Sequence, residues 1–202
     1  MKWRRFLKAC SKLTCVFVDL ETGGIDYVSP GRHAVLMVGA VSVHRGRIVD
    51  SVEFGVTPYE GSEISQEAIN VNGWPGESDL DVDEHTALEL LSNLWATHPS
   101  RSNWIPIAGH FVSIDERWLC AMARRTGYQW PPERFGRRAI DSCTMSLPLN
   151  LMGEFRSLSL DRMCDTLGIS GRLSRAELGH RSARADCLAS LAVVYEVLWR
   201  LS

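Results

Sequence analysis

The chain has 202 residues, 45% of them hydrophobic and 23% charged, and this balance excludes a disordered or fibrous protein. A formal net charge of −2 also excludes a protein that coats a nucleic-acid duplex with a broad basic face, although contact with a few phosphates stays open. We expect a single domain, because a chain of this length buries most of its apolar surface in one core.

Cysteine spacing and hydropathy indicate the cellular setting. The six cysteines are spread through the chain without any Cys-x-x-Cys pair, so we interpret them as buried, reduced thiols. No apolar run approaches the roughly 20 residues of a membrane span, and the N-terminal segment lacks the pattern of a cleaved signal peptide. These features favour a cytoplasmic protein that has no membrane partner.

The first part of the chain predicts three strands. Residues 14–20 (TCVFVDL) are rich in β-branched and aromatic side chains and predict a buried strand that ends at acidic residues. Residues 34–43 and 47–56 are separated by His-Arg-Gly, a spacing typical of two antiparallel strands joined by a tight turn. For the basic N-terminal extension, residues 1–12, three interpretations stay open: a helix packed on the sheet, a substrate-tracking arm and a disordered tail.

Helices and two further strands are predicted in the rest of the chain. Hydrophobic spacing and glycine stops predict helices over residues 63–71, 83–98, 114–125, 159–167 and 182–201, strands over 105–109 and 138–143, and a loop over 147–153. This order predicts an α/β fold with a mixed sheet and helices on its faces.

Four acidic residues lie in segments that can converge: Asp19, Glu21, Asp115 and Asp186. Asp19 and Glu21 share one side of an extended strand, because side chains two residues apart point the same way. Clustered carboxylates repel one another and are stable chiefly with bound cations, and oxygen ligands favour Mg²⁺ or Mn²⁺ over zinc. Two such ions roughly 4 Å apart can promote in-line attack on a phosphodiester. Taken alone, Asp-x-Glu after a strand is also compatible with an ordinary surface turn.

Five segments, taken in order, carry a resemblance to a known family. They are FVDLETGG at 17–24, GHFVSID at 109–115, IDSCTMS at 140–146, SLSLDRMCDTLGI at 157–169 and HRSARAD at 180–186. In this order and spacing, which extend over roughly residues 13–200, the chain resembles the His-containing branch of the DEDD exonuclease superfamily. That branch includes proofreading subunits of DNA polymerases, ribonuclease T and oligoribonucleases.

The resemblance implies a single exonuclease domain over residues 1–202, with a ribonuclease-H-like fold and a five-stranded mixed sheet whose first strand is central. It implies a metal-dependent 3′-to-5′ exonuclease that uses two divalent cations to release nucleoside monophosphates from single-stranded DNA or RNA 3′ ends. Asp19, Glu21 and Asp186 would bind the ions directly, Asp115 would act through water, and His180 would be the general base.

The resemblance also implies where the terminal nucleotide binds. Thr22, Gly23 and Gly24 correspond to a turn in which backbone amides approach that nucleotide, and Ile25 corresponds to an apolar residue that wedges beside the last base. These four residues are therefore the predicted substrate-binding segment.

Two residues depart from the family pattern. His180 lies one residue farther from Asp186 than is usual, which is harmless only if a loop absorbs the extra residue; Ser182 is a candidate helix cap. Phe111 follows His110 where the family commonly has asparagine. We favour a core position for its ring over a role in base stacking.

Other assignments stay open at this level. A non-catalytic nucleic-acid-binding or replisome-associated module on the same fold is the alternative function, although clustered negative charge facing phosphates argues against a pure binder. A homodimer, a polymerase-associated subunit and a freestanding enzyme are all compatible with the sequence, and so are DNA and RNA as substrates.

Overall fold

Five strands form one mixed sheet, with helices on both faces. The computed structural model describes residues 2–26, 33–74, 76, 78, 81–153, 157–169 and 182–202. In that part of the chain the elements are α1 (Lys2–Cys10), β1 (Cys15–Thr22), β2 (Val35–His44), β3 (Arg47–Gly55), α2 (Gln66–Asn72), α3 (Glu84–Ala96), β4 (Ile105–Gly109), α4 (Ser113–Thr126), β5 (Phe135–Asp141), α5 (Ser142–Leu151), α6 (Leu160–Leu167) and α7 (Ala183–Arg200).

The strand order is β3-β2-β1-β4-β5, with β1 in the centre. β2 is antiparallel to β1 and β3, whereas β4 is parallel to β1 and β5 is parallel to β4. The predicted α/β fold with a five-stranded mixed sheet and a central first strand is therefore confirmed. Arg45 and Gly46 join β2 to β3 with φ angles of 51° and 71°, the left-handed geometry of a tight hairpin turn.

Alternation along β1 divides the core between the two faces of the sheet. Val16 and Val18 pack against α3 and α4, whereas Cys15 and Phe17 pack against α7. The last helix therefore covers one face of the central strand, and this arrangement determines which side chains α7 meets farther along β1.

The basic N-terminal extension is a helix, and it packs on α7 instead of the sheet. Trp3 and Phe6 of α1 lie against Trp199 near the end of α7, with ring centroids 5.7 and 5.3 Å away. The cationic side chains of α1 remain exposed. None of the helices in the described ranges is long and apolar enough to span a membrane.

One predicted loop is wrong. Residues 147–153 were expected to be irregular because of Pro148 and Gly153, yet α5 continues to Leu151. Asp141 caps this helix by accepting a hydrogen bond from Cys143 N, and Leu149 is buried in a cluster with α6 and α7. Tertiary packing thus outweighs the unfavourable helix propensity of proline at this position.

Two other expectations need smaller corrections. β5 begins at Phe135, earlier than the predicted residue 138, because Phe135 pairs with Ile105 of β4. Four of the six cysteines are buried, but Cys10 and Cys120 are only half-buried, and all six are free thiols.

Candidate metal centre and nucleotide cleft

β1 presents two carboxylates on the side of the sheet that α7 covers. Cys15 and Phe17 pack against α7, and Asp19 and Glu21 continue the same alternation toward the end of the strand. Both acidic residues are half-buried. β1 extends through both of them to Thr22, so their separation is set by regular strand geometry rather than by a loop.

Asp186 completes a three-carboxylate cluster. It lies in the first turn of α7 and is buried, and one carboxylate oxygen from each of Asp19, Glu21 and Asp186 lies within 4.8 Å of the others. An all-oxygen donor set of this size suits a hard divalent ion such as Mg²⁺ or Mn²⁺.

A glycine and a glutamate on the sheet fix the start of α7. A Cβ atom on Gly39 of β2 would lie 2.2 Å from both Ala183 C and Arg184 N, so only glycine allows the helix to approach this closely. Glu53 Oε1 on β3 accepts hydrogen bonds from Ser182 Oγ and from Arg184 N (3.0 Å). Ser182 also caps the helix by accepting from Ala185 N. The third carboxylate is therefore positioned by contacts on two neighbouring strands.

Asp115 approaches the site from the opposite face of the sheet. It is 8% exposed in the first turn of α4, and its Oδ1 accepts a hydrogen bond from Leu20 N at 3.1 Å. Burial raises the pKa of this carboxyl well above its usual range, and the negative charges of Glu21 and Asp141 raise it further, against the lowering effect of backbone hydrogen bonds. Asp115 is outside the three-carboxylate cluster, and its contact through water stays a prediction.

The electrostatic environment of the cluster is strongly negative. Burial raises the pKa of the Cys187 thiol, and the charges of Asp19, Asp115 and Asp186 add to that rise. Because these carboxylates lie close together around a buried site, a divalent cation would relieve their repulsion. The donor set and the charge therefore both fit the predicted metal.

The predicted nucleotide-binding segment borders a cleft next to Glu21. The cleft has a volume of about 460 Å³, and its lining includes Thr22, Gly24 and Ile25 as well as Glu21. Ile25 is 94% exposed, so its side chain is available to a ligand. Gly23 is buried behind the lining, where its N donates to Ala34 O and its carbonyl accepts from Ser65 N. Volumes of this order are typical of small-molecule sites.

The opposite wall of the cleft was not identified from the sequence. His33 lies against Gly24, where an added Cβ would come within 2.4 Å of the imidazole ring. Ala68 and Val71 of α2 supply apolar surface, and Asn72 Nδ2 donates to Thr22 O at 3.2 Å. These residues belong to segments without a catalytic pattern, so only the three-dimensional structure brings them to the site.

Gly39 and Glu53 were also missed. An isolated glycine within a strand pattern indicates close backbone approach, which was the available signal for Gly39. Glu53 is an exposed residue of β3 between Val52 and Phe54, and nothing in the sequence distinguishes it from other glutamates on exposed strands.

His180 lies outside the described residues, so its predicted position as general base stays a prediction. The helix that carries Asp186 begins at Ala183, with Ser182 as its cap. The extra residue between His180 and Asp186 therefore does not have to be accommodated within α7. This meets the condition stated from the sequence, that the extra residue must lie outside the helix.

The core position favoured for Phe111 is wrong. Phe111 is 44% exposed and has a φ of 54° in the connection between β4 and α4. Its ring contacts that of His110 edge to face, with centroids 4.8 Å apart. His110 Nδ1 lies 2.9 Å from Ser142 Oγ.

The chain resembles several solved nucleases in fold. The alignment with cell-death related nuclease 4 covers 90% of this chain (TM-score 0.69, 17% identity). The alignment with E. coli Exonuclease I in complex with a dA16 oligonucleotide covers 92% of this chain (TM-score 0.67, 16% identity). The chain spans 62% and 41% of those two proteins. It spans 90% of the nuclease domain of 3′hExo, a DEDDh family member bound to rAMP (TM-score 0.64, 12% identity). At these identities the likeness establishes the fold alone.

A family model provides the stronger comparison. The model described as Exonuclease (RNase_T) matches residues 16–194, which include all but the first residue of β1, the residues of the cleft and most of α7. Because this match takes in nearly the whole chain, the chain belongs to the RNase_T exonuclease family.

Proposed function

We propose that this protein is a metal-dependent 3′-to-5′ exonuclease that hydrolyses single-stranded DNA or RNA and releases nucleoside monophosphates. One observation carries the proposal: three carboxylates, within 4.8 Å of one another, adjoin a cleft of about 460 Å³. The cluster can hold the ions that polarise a phosphodiester, and the cleft can hold the nucleotide that is removed.

The acidic side chains have two roles, to bind the metal ions and to orient the end of β1. Asp19, Glu21 and Asp186 would hold the divalent ions, and bound ions would activate a water and stabilise the charge on the leaving oxygen. Asp115 orients the end of β1 through its hydrogen bond to Leu20 N and contacts the site through water.

The terminal nucleotide occupies the cleft beside Glu21. Its base lies against the apolar surface of Ile25, Ala68 and Val71, and its sugar and phosphate face the Thr22–Gly24 turn. The volume of this cleft, about 460 Å³, suits a single nucleotide and so supports stepwise removal from an end. The 3′ polarity is inferred from the family.

His180 is the proposed general base. It takes the proton of the attacking water while the water oxygen forms a bond to phosphorus. The bond from phosphorus to O3′ of the preceding nucleotide then breaks, and O3′ takes a proton from solvent. The products are a nucleoside 5′-monophosphate and a strand shortened by one residue. An imidazole is suited to this step because its ordinary pKa is near 6.5.

The test is degradation of 5′-labelled single-stranded DNA and RNA with Mn²⁺, Mg²⁺ or a chelator. We expect a ladder that shortens from the 3′ end, requires metal and is lost in both Asp19→Ala and His180→Ala. Loss in Asp19→Ala alone would remove His180 from its role. An intact protein that binds single strands without cutting them would instead support the non-catalytic binding module.

A further inference from the structure

Phe111 is an exposed aromatic residue at the edge of the sheet that carries the acidic cluster. It lies two residues after Gly109, the last residue of β4, and two residues before the start of α4, which carries Asp115. Because β1 and β4 are parallel neighbours, their carboxyl ends lie at the same edge. Phe111 therefore lies at the edge of the sheet where β1 ends with Asp19 and Glu21, on the β4 side of β1.

The backbone of Phe111 is in an unfavourable conformation for its side chain. A φ of 54° is left-handed, and residues other than glycine, asparagine and aspartate rarely adopt it, least of all bulky ones. The conformation is fixed by Phe111 N, which donates to Asp141 Oδ1 at 3.1 Å, and by Phe111 O, which accepts from Ile114 N at 2.9 Å. The ring is thus held on a rigid connection.

Folding does not account for a phenyl ring at this position. With 44% of the residue exposed, the ring gains only partial burial and its contact with His110, whereas asparagine would fit the left-handed backbone at lower cost. Local choices that disfavour stability tend to occur at functional sites.

The nucleotide cleft lies on the other side of the acidic cluster. Its lining includes His33, which lies two residues before the start of β2, together with residues of α2. In the strand order β3-β2-β1-β4-β5 the cleft is on the β2 side of β1 and Phe111 is on the β4 side. Phe111 therefore lies across the acidic cluster from the cleft, on the side toward which a strand that ends in the cleft would continue past the scissile phosphate.

We propose that Phe111 is a stacking platform for a base upstream of the nucleotide that is removed. The inference rests on the proposed function and adds to it a second base-binding site for single-stranded nucleic acid. Stacking on an aromatic ring accepts any base, so this site increases affinity without sequence preference. Removal of the ring is expected to raise KM about 5- to 150-fold.

The test compares Phe111→Asn with Phe111→Tyr and with Trp104→Ala. Asparagine removes the ring and tolerates a left-handed backbone, whereas tyrosine retains the ring. Trp104 is a 58% exposed aromatic residue at the opposite end of β4, and its variant controls for loss of a surface ring. Each protein is assayed with Mn²⁺ on an oligonucleotide of ordinary bases and on one with abasic residues upstream of the terminal nucleotide.

We expect Phe111→Asn to weaken substrate binding without lowering the stability of the fold. Phe111→Asn raises KM on the ordinary oligonucleotide, has no effect on KM for the abasic one, and leaves the melting temperature equal to or above that of the wild type. Phe111→Tyr and Trp104→Ala keep the wild-type KM on both.

Three results would overturn the inference: an unchanged KM in Phe111→Asn, an equal rise on the abasic strand, or a lowered melting temperature that tracks the loss of activity. If the intact protein cuts no strand, the proposed function fails and the platform fails with it. If the intact protein cuts single strands and Phe111→Asn leaves KM unchanged, only the stacking platform is refuted.

Discussion

Gly39→Ala is expected to separate Asp186 from the carboxylates of β1. The new Cβ would lie 2.2 Å from Ala183 C and Arg184 N, whereas ordinary contacts begin at 3.4 Å. The first turn of α7 must therefore retreat by about 1.2 Å, since the obstructing atoms are backbone. Metal ligands tolerate errors of only about 0.2 Å, so we expect affinity for Mn²⁺ to fall roughly 10- to 100-fold.

The assay is calorimetric titration of Mn²⁺ into the metal-free protein, combined with thermal unfolding. Overpacking should lower the free energy of unfolding by about 1–3 kcal/mol, which corresponds to about 2–12 °C for a chain of this size. Val38→Ala is the control, because Val38 lies on the same strand but packs in the core on the other side of the sheet. It should lose stability and keep its affinity for Mn²⁺. Wild-type affinity in Gly39→Ala would refute the role assigned to the glycine.

Three further predictions concern single side chains. Glu53→Ala leaves Ser182 Oγ and Arg184 N without their acceptor and should weaken Mn²⁺ binding, whereas Glu53→Gln keeps an acceptor oxygen and should retain most of it; equal titration curves for the two variants would contradict this. The pKa of Asp115 is raised in the folded state, so the metal-free protein should lose stability as pH rises from about 4 through that raised pKa, because the folded state holds a proton that the unfolded state releases. Asp115→Asn should abolish this loss and also the activity, as urea unfolding in chelator and a nuclease assay would reveal. Ile25→Ser should raise KM without lowering the melting temperature, because a side chain that is 94% exposed stabilises little in the free protein; a drop in melting temperature would indicate a structural contact instead.

The elements that carry the acidic residues were predictable because their signals are local. The β-branched and aromatic side chains of residues 14–20 indicated a strand, and the two-residue period of a strand put Asp19 and Glu21 on one side of it. Helical spacing over residues 182–201 likewise gave α7 nearly to its ends. The order of the acidic segments then carried the family resemblance, from which the central position of β1 followed.

The features that were missed depend on contacts between distant segments. The path of α5 through Pro148 is stabilised by burial of Leu149 against other helices, which no window of sequence contains. A core position was favoured for Phe111, whereas the residue is exposed in the connection between β4 and α4, whose conformation the sequence does not reveal. Glu53 has a role only in the folded chain, where the start of α7 lies beside it and Arg184 N donates to its carboxylate.

The carboxylate cluster draws its members from the first strand and the last helix, and this has a consequence for synthesis. When β1 to β5 have been synthesised but α7 has not, Asp19 and Glu21 lack Asp186, the third carboxylate of the cluster. The side of β1 that holds Cys15 and Phe17 also lacks the α7 residues that pack on it. Because chains emerge from the ribosome N-terminus first, the complete cluster forms only after α7 has been translated. A growing polypeptide that lies beside its own messenger RNA is therefore without an assembled centre until translation of this region ends.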